Sequence, residues 1–346
     1  MSLPLSAIGD NGQPVDWWFI YKVPKNAGSA VGAGHTGYVA TGYEYAYFDD
    51  QSTALSGSPN LLSAPNNALT ATLQQVFAAA ANPTSGCIFY NDEFPLELNL
   101  SNNGGLAHAK GVLAFDLGSD SAFWLLHSIP RFSHPTSGDF PSNELDYGQT
   151  LLCITLKDVA TAEAIAQQML VQQGPQIYGA RLPQSLPADS VWHKLAASDF
   201  SLSPTPWDIT FTSRGGATFR SIAKSRLWGQ DLWSDLVGPS LGVDLDVESW
   251  RRGAIPPDED SNKTDWVADD TAIDLNPIGM PFAWQNAKDH AKWAMSLENN
   301  DDWVCVADIN RQVSQAKRGG GTICFQDSRL WAGLSAIAKA PQGGLA

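Results

Sequence analysis

The sequence predicts an α/β fold of mixed layers, made of two pseudo-symmetric halves that each carry a central β-sheet flanked by helices. Three observations lead there. Aromatic and β-branched runs of strand length recur along the whole chain, amphipathic stretches of helical spacing fall between them, and one long segment occurs twice. The repeat is the most informative. HAKGVLAFDLGSDSAFWLLHSIPR (108–131) and HAKWAMSLENNDDWVCVADINR (290–311) share one plan: His-Ala-Lys, an apolar strand, an acidic turn, a Trp-bearing strand and a closing arginine. One tripeptide recurs easily by chance, whereas a whole plan does not, so the pattern is a duplication. At 346 residues the chain also exceeds the usual size of a single core. The halves are placed at 1–185 and 206–346, joined by a Pro/Ser-rich connection at 186–205.

In chain order, WWFIYKV (17–23), YVATGYEYAYFD (38–49) and GCIFYND (86–92) read as strands from their aromatic and β-branched content. ALTATLQQVFAAAA (68–81) has apolar residues at helical spacing. GVLAFDL (111–117), AFWLLHS (122–128) and TLLCITL (150–156) follow as buried strands, then a helix in ATAEAIAQQMLVQQ (160–173). After the connection come DITFTS, TFRSIAK, a helix-like DLWSDLV, VDLDVESW, the second His-Ala-Lys block, WVCVADIN and TICFQD. SRLWAGLSAIAKA (328–340) is the last helix.

Composition narrows the function. No apolar run approaches the roughly 18–20 residues of a spanning helix, and MSLPLSAIGDNGQPVDWW has neither the basic start nor the apolar core of a signal peptide. The four cysteines, Cys87, Cys153, Cys305 and Cys324, show no CxxC spacing, so no zinc or iron–sulfur site is expected. Cys305 and Cys324 sit in runs that read as neighbouring strands, either as a disulfide or as two buried thiols. Net charge is −15 with a pI near 4.6. That sign repels phosphate at neutral pH, so either the partner is not anionic or the protein works in acid.

Along a strand, residues two apart face the same way, so His-x-Lys sets an imidazole beside an ammonium. Two copies related by an approximate two-fold would gather two of each in one pocket. Such a pocket suits phosphodiester cleavage with no metal and no cofactor. One neutral histidine attacks phosphorus, the other in protonated form supplies a proton to the departing oxygen, and the lysines hold the phosphoryl oxygens. Opposite protonation states favour pH near or below histidine's reference pKa of about 6.5.

These residues resemble the deoxyribonuclease II family, acid endonucleases of the phospholipase D superfamily. The resemblance runs nearly end to end, through GDNGQPVDWWFIYKVP (9–24), HAKGVLAFD (108–116), FWLLHSIPRF (123–132), YGQTLLC (147–153), FRSIAKS (219–225), DHAKW (289–293) and WVCVADINRQ followed by RGGGTIC (303–324). It implies two phospholipase D-like halves and cleavage of double-stranded DNA with little sequence preference, at acid pH, without a divalent metal, leaving 3′-phosphate and 5′-hydroxyl ends. It further implies that His108, Lys110, His290 and Lys292 form the active site, with His127 as an additional histidine. Asn310 joins them by its place late in the second copy of the repeat. The chain departs from the superfamily where Phe115 and Leu297 stand at expected acids, leaving Asp289 as a candidate support for His290. Ala7 and Ala294 replace cysteines of animal members, so Cys153 lacks its family partner.

His108 is expected to be the nucleophile, because its half also supplies His127, and His290 the general acid. Arg214, Arg220, Lys224 and Arg226, in SRGGATFRSIAKSR (213–226), read as a DNA-backbone strip, joined by Arg318 at the head of RGGGT. Arg131 and Arg311 fit phosphate contacts or structural ion pairs equally. His35, His134 and His193 read as surface residues, and the Asn99 and Asn262 sequons matter only in a glycosylating compartment. Two other functions compete: a superfamily phosphodiesterase acting on phospholipid, and an inactive relative that clasps DNA or another anion. A secreted, periplasmic or acidic compartment is expected rather than the cytoplasm. One chain holds both motifs, so a monomer suffices for chemistry, and a homodimer clamping a duplex is compatible. The low pI also predicts a gate: net charge falls towards zero in acid, so DNA affinity should rise as pH falls.

Overall fold

The computed structural model describes residues 4–28, 39–101, 106–251, 266–297 and 301–339. It is an α/β fold of mixed layers built on two large sheets. The first sheet has eight strands, all antiparallel, in the order Ile177–Arg181, Ser85–Tyr90, Gly111–Asp116, Ser121–His127, Gln149–Leu156, Trp17–Lys22, Tyr45–Asp49 and Ser56–Gly57. The second has seven: Trp207–Thr212, Thr218–Lys224, Gly320–Gln326, Trp303–Ala307, Lys292–Ser296, Leu245–Ser249 and Val267–Asp269. Its last pair alone is parallel. The central strands are buried on both faces, which is why they read as unbroken apolar runs rather than alternating ones.

Register makes the duplication visible. Lys22 lies opposite Gln149 in the first sheet, and Lys224 opposite Gly320 in the second. Gly111 pairs with Leu126, and Trp293 with Val306. The same superposition sets Tyr90, opposite Gly111, against Glu248, opposite Trp293. It also sets His127, opposite Leu151, against Ala307, opposite Thr322. The expectation that Asn310 occupies the counterpart of His127 is therefore corrected. Ala307 stands there, and Asn310 lies three positions further on, past the strand end.

The sheets face each other across one core in which Trp17, Tyr21 and Trp124 of the first meet Phe219, Trp293 and Phe325 of the second. Trp17 contacts Phe219 and Phe325 edge-on at 6.4 and 4.8 Å. Helices Val159–Gln168 and Ser328–Ile337 bury their apolar sides in that core, with N-caps from Asp158 and Asp327. Helix Ala68–Ala78, capped by Asn67, covers the outer face of the first sheet. Leu232, Trp233 and Val237 cover the outer face of the second.

Several local expectations change. Of the strand foreseen over 38–49, residue 38 lies outside the described residues and the rest becomes strand only from Tyr45, because the Glu44 carboxylate accepts from the backbone N–H groups of Thr41 and Gly42 and closes a turn there. The helix expected over 160–173 stops at Gln168 and continues to Gln173 as a π-turn. The 186–205 connection contains the helix Val191–Ala196, whose Trp192 stacks on Phe115 at 3.9 Å. Cys305 and Cys324, directly opposite on adjacent strands, form a disulfide, whereas Cys87 and Cys153 are buried and free. No helix of the described residues is long and apolar enough to cross a membrane.

Candidate active site

Both His-x-Lys elements stand at strand entrances rather than inside strands. His108 and Lys110 precede Gly111–Asp116, while Lys292 begins Lys292–Ser296. What fixes each histidine is a backbone contact from the other half. The His108 N–H donates to the Gly319 carbonyl at 2.9 Å, and the His290 N–H donates to the Gly148 carbonyl at 2.9 Å. The two glycines are counterparts under the repeat, and both approaches need a bare α-carbon. A Cβ on Gly319 would overlap the Gln173 carbonyl, and one on Gly148 would stand 2.6 Å from the Asp289 carboxylate. YGQT and RGGGT thus bring the halves together at one junction.

The environments of the two histidines differ. The Nδ1 of His108 lies 2.6 Å from the Asp308 carbonyl, so its proton sits on Nδ1 and the lone pair on Nε2. That Nε2 faces the Asp92 carboxylate at 3.6 Å. Lys110 pairs closely with Asp92, and Arg318 reaches the same carboxylate at 3.3 Å. Arg318 also donates to the carbonyls of Leu106 and Ala107, at 3.0 and 2.9 Å, just ahead of His108. His290 has aromatic company instead. Tyr147 stacks on it at 3.9 Å and 14°, with Trp250 tilted at 4.5 Å. Trp250 is the counterpart of Asp92, so a carboxylate serves one histidine where an indole serves the other.

Charge is concentrated here. Burial, Lys110 and Lys292 drive the His108 pKa well below its usual value, against the pull of Asp92. Burial with Lys292 and Lys110 takes His290 down to about 3. Burial lowers Lys292 to about 7, helped by Lys110. Asp92 is held below the usual carboxylate range by Lys110, His108 and Arg318, which together outweigh its burial. Asp308 is raised to about 7 by burial, its N–H and lysine neighbours pulling the other way. Each half's lysine thus acts on the other half's histidine, as one pocket requires.

The remaining candidates divide. His127 is buried, its Nδ1 accepts from the Ile129 N–H at 3.2 Å, and its own N–H bonds to the Lys110 carbonyl at 3.2 Å. Its Nε2, the Nε2 of His290 and the Oδ1 of Asn310 are buried with no hydrogen-bond partner among the described residues. Asp289 does not support the His290 ring: its carboxylate is taken up by Tyr21 at 2.5 Å, Trp284 at 2.7 Å and the Ala291 N–H at 2.8 Å. It shapes the backbone on either side of His290 instead.

The basic strip is not assembled as one surface. Lys224 is wholly buried, its ammonium donating to the carbonyls of Gln315, Ala316 and Arg318. Arg220 pairs with Asp208 and donates to the Ser240 carbonyl. Arg214 bonds the Asp120 carbonyl at the opposite ends of the strands, beside an apolar cavity of about 750 Å³ that none of the His-x-Lys residues lines. Arg226 is exposed beyond the end of Thr218–Lys224, so Arg318 is the one member of the group that reaches the site. Arg131 pairs with Glu93 and Glu144, and Arg311 with Asp269. His134 and His193 lie in polar turn and helix contexts, while His35 and the Asn262 sequon fall outside the described residues.

Asp92, Asp308, Tyr147 and Trp250 were not foreseen. Asp92 ends a predicted strand, but nothing in the linear order says that this strand lies beside the one His108 enters. Asp308 carried a faint signal, as an acid inside an apolar run. Among the described residues, no group of three or more His, Cys, Asp or Glu side chains is arranged to hold a metal ion.

The family model of deoxyribonuclease II matches residues 6–342. A Burkholderia pseudomallei protein that bears the deoxyribonuclease-2 name is 46% identical over 96% of this chain and 92% of its own. Deoxyribonuclease-2 of Caenorhabditis elegans is 35% identical over 95% and 91%, and deoxyribonuclease-2-alpha of Rattus norvegicus 33% over 97% and 93%. Among solved structures, yeast tyrosyl-DNA phosphodiesterase aligns with a TM-score of 0.37 and 9% identity, over 75% of this chain and 86% of that one.

Proposed function

The chain belongs to the deoxyribonuclease II family, and from that premise we propose that it cuts double-stranded DNA without a metal ion, through a phosphohistidine, leaving 3′-phosphate and 5′-hydroxyl ends. One observation carries the reading. Each histidine is seated by a glycine carbonyl of the opposite half, so the two imidazoles and two lysines share one junction.

His108 is the nucleophile. With Nδ1–H given to the Asp308 carbonyl, the Nε2 lone pair is free to form the bond to phosphorus as the bond to the 5′ oxygen breaks. His290 gives its proton to that oxygen, then takes one from the water that attacks the phosphohistidine, returning His108 and freeing the 3′-phosphate. Lys110, Lys292 and Arg318 hold the phosphoryl oxygens and supply the positive charge that the transition state needs. His127, which feels the charges of Lys110 and Asp92, and Asn310 each hold an unpartnered buried polar atom and are assigned as supporting polar groups.

In the substrate-free protein His290 titrates near 3, because burial and the two lysines oppose its charge. A bound phosphate adds a negative neighbour and pulls that pKa upward. The protonated fraction of the acid then grows as pH falls, so activity is expected to increase from pH 7 towards pH 5.

The ends test the chemistry. Fragments should accept a 5′ label from polynucleotide kinase without prior dephosphorylation, and should resist polymerase extension until their 3′ phosphates are removed. Fragments with 5′-phosphate and 3′-hydroxyl ends would overturn the phosphohistidine route.

A further inference from the structure

We propose that in the substrate-free enzyme the carboxylate of Asp92 occupies the phosphate position of the active site, so that DNA must displace it with uptake of a proton. The inference rests on the phosphate-holding role given above to Lys110 and Arg318 and on the attack on phosphorus given to His108. All three converge on this one carboxylate, the lysine in close contact, the guanidinium at 3.3 Å and the imidazole at 3.6 Å. A phosphoryl group needs the same two cations in the same fork, with the His108 Nε2 turned towards its phosphorus.

The placement is built into the fold. The Asn91 side chain donates to the carbonyls of Ile129 and Phe132 at 3.0 and 2.7 Å, and its N–H donates to Gln176 at 3.0 Å. The Gln176 side chain donates to the Asp92 carbonyl at 3.2 Å. The backbone of Asp92 is therefore pinned, leaving only its side-chain torsions free to withdraw the carboxylate. The second half has Trp250 at the counterpart position, so the plug exists on one side of the pseudo-two-fold only.

The groups around Asp92 come from every neighbouring element. The segment entering Gly111–Asp116 supplies His108 and Lys110, and the end of Ser121–His127 supplies His127, on which Asp92 acts. The second half contributes Arg318, together with His290 and Lys292, which also feel Asp92. Asp289 and Asp308 are the other acids that act on Lys292. This surplus of positive charge keeps Asp92 ionised while the site is empty. When a phosphate arrives, two anions compete for one set of cations, and their repulsion favours protonation of the carboxylate. Anion binding is thereby coupled to proton uptake at Asp92, over and above any uptake by the histidines.

Sulfate is a suitable probe, because it remains doubly charged across the working pH range and its binding requires no turnover. Titrating sulfate into the full chain between pH 5 and pH 7 should show affinity weakening as pH rises. In Asp92→Asn the slope of log Kd against pH should fall by about one, and binding at pH 7 should tighten by about tenfold or more. Weaker sulfate binding at both pH values with an unchanged slope would overturn the proposal and leave Asp92 as a positioning residue for His108. A second measurement needs no variant. Calorimetry of the wild type in two buffers of different ionisation enthalpy should register proton uptake on sulfate binding, and its absence would equally overturn the proposal. Because neither readout involves cleavage, a failure of the phosphohistidine chemistry would be seen separately, in the product ends.

Discussion

Lys224 shows how far a residue's chemistry depends on where its side chain ends. In the sequence it belongs to a basic strip, yet in the fold its ammonium caps the carbonyls of Gln315, Ala316 and Arg318. Lys22, its counterpart, caps Val23, Leu145 and Tyr147 in the same manner. These two buried lysines hold the loops that end in Gly319 and Gly148, the glycines that seat His108 and His290. Truncating Lys224 to Met leaves three carbonyls without their donor, at a cost of about 2–4 kcal/mol. Urea unfolding should register that loss, whereas replacing exposed Arg226 should change stability by less than about 0.5 kcal/mol. Equal effects of the two replacements would contradict the capping role. Burial lowers the Lys22 and Lys224 pKa values to about 7 and 8. Their folded forms shed a proton at a pH where the unfolded chain still keeps it. Both caps are thus charged in acid, and Lys22 has lost half its charge by about pH 7 and Lys224 by about pH 8.

At the scale of strands and helices, most of what builds the site was legible, and what was missed has a physical cause. The runs GVLAFDL, AFWLLHS and TLLCITL became central strands because aromatic and β-branched side chains pack on both faces of a buried sheet. The paired His-Ala-Lys blocks marked both strand entrances. Register was not legible. It depends on which strands become neighbours, and it decides that Ala307 rather than Asn310 matches His127 and that Asp92 lies beside His108. Nor could the sequence say that TFRSIAK would turn its last lysine inward beneath the RGGGT loop. Cys305 and Cys324 were legible as neighbours but not as a bond. The disulfide closes a loop of 19 residues between strands that already pair. Chain-entropy arguments give it about 3 kcal/mol. A reductant should therefore lower the Tm of the wild type and leave that of Cys305→Ala/Cys324→Ala unchanged. An unchanged wild-type Tm under reduction would show that strand pairing alone carries the second sheet.

Over the whole molecule, burial sets how stability changes with pH. Burial raises Asp308 and Glu144 to about 7 and Asp246 to about 6, and it also raises Glu248, Asp270 and Asp289. Above about pH 4 the unfolded chain releases these protons while the folded chain keeps them, so stability falls as pH rises from there towards 7. The buried histidines work in the opposite direction. His127 and His290, down to about 3, stay neutral when the unfolded chain would protonate them below about 6.5, which costs stability as pH falls. The carboxylates outnumber the histidines, so Tm should be higher at pH 5 than at pH 7, and the reverse order would contradict this balance. The same acid shift brings a chain of net charge −15 towards its pI near 4.6, which should strengthen DNA binding independently of turnover. An affinity flat between pH 5 and pH 7 would remove charge as the gate. The central claim is that one junction of two half-sites cuts DNA, and plasmid nicking at pH 5 in excess EDTA tests it most directly. The wild type should nick and linearise the plasmid, while His108→Ala and His290→Ala should each lose at least about a hundredfold in rate. Retained cleavage by either variant, or none by the wild type, would contradict the account.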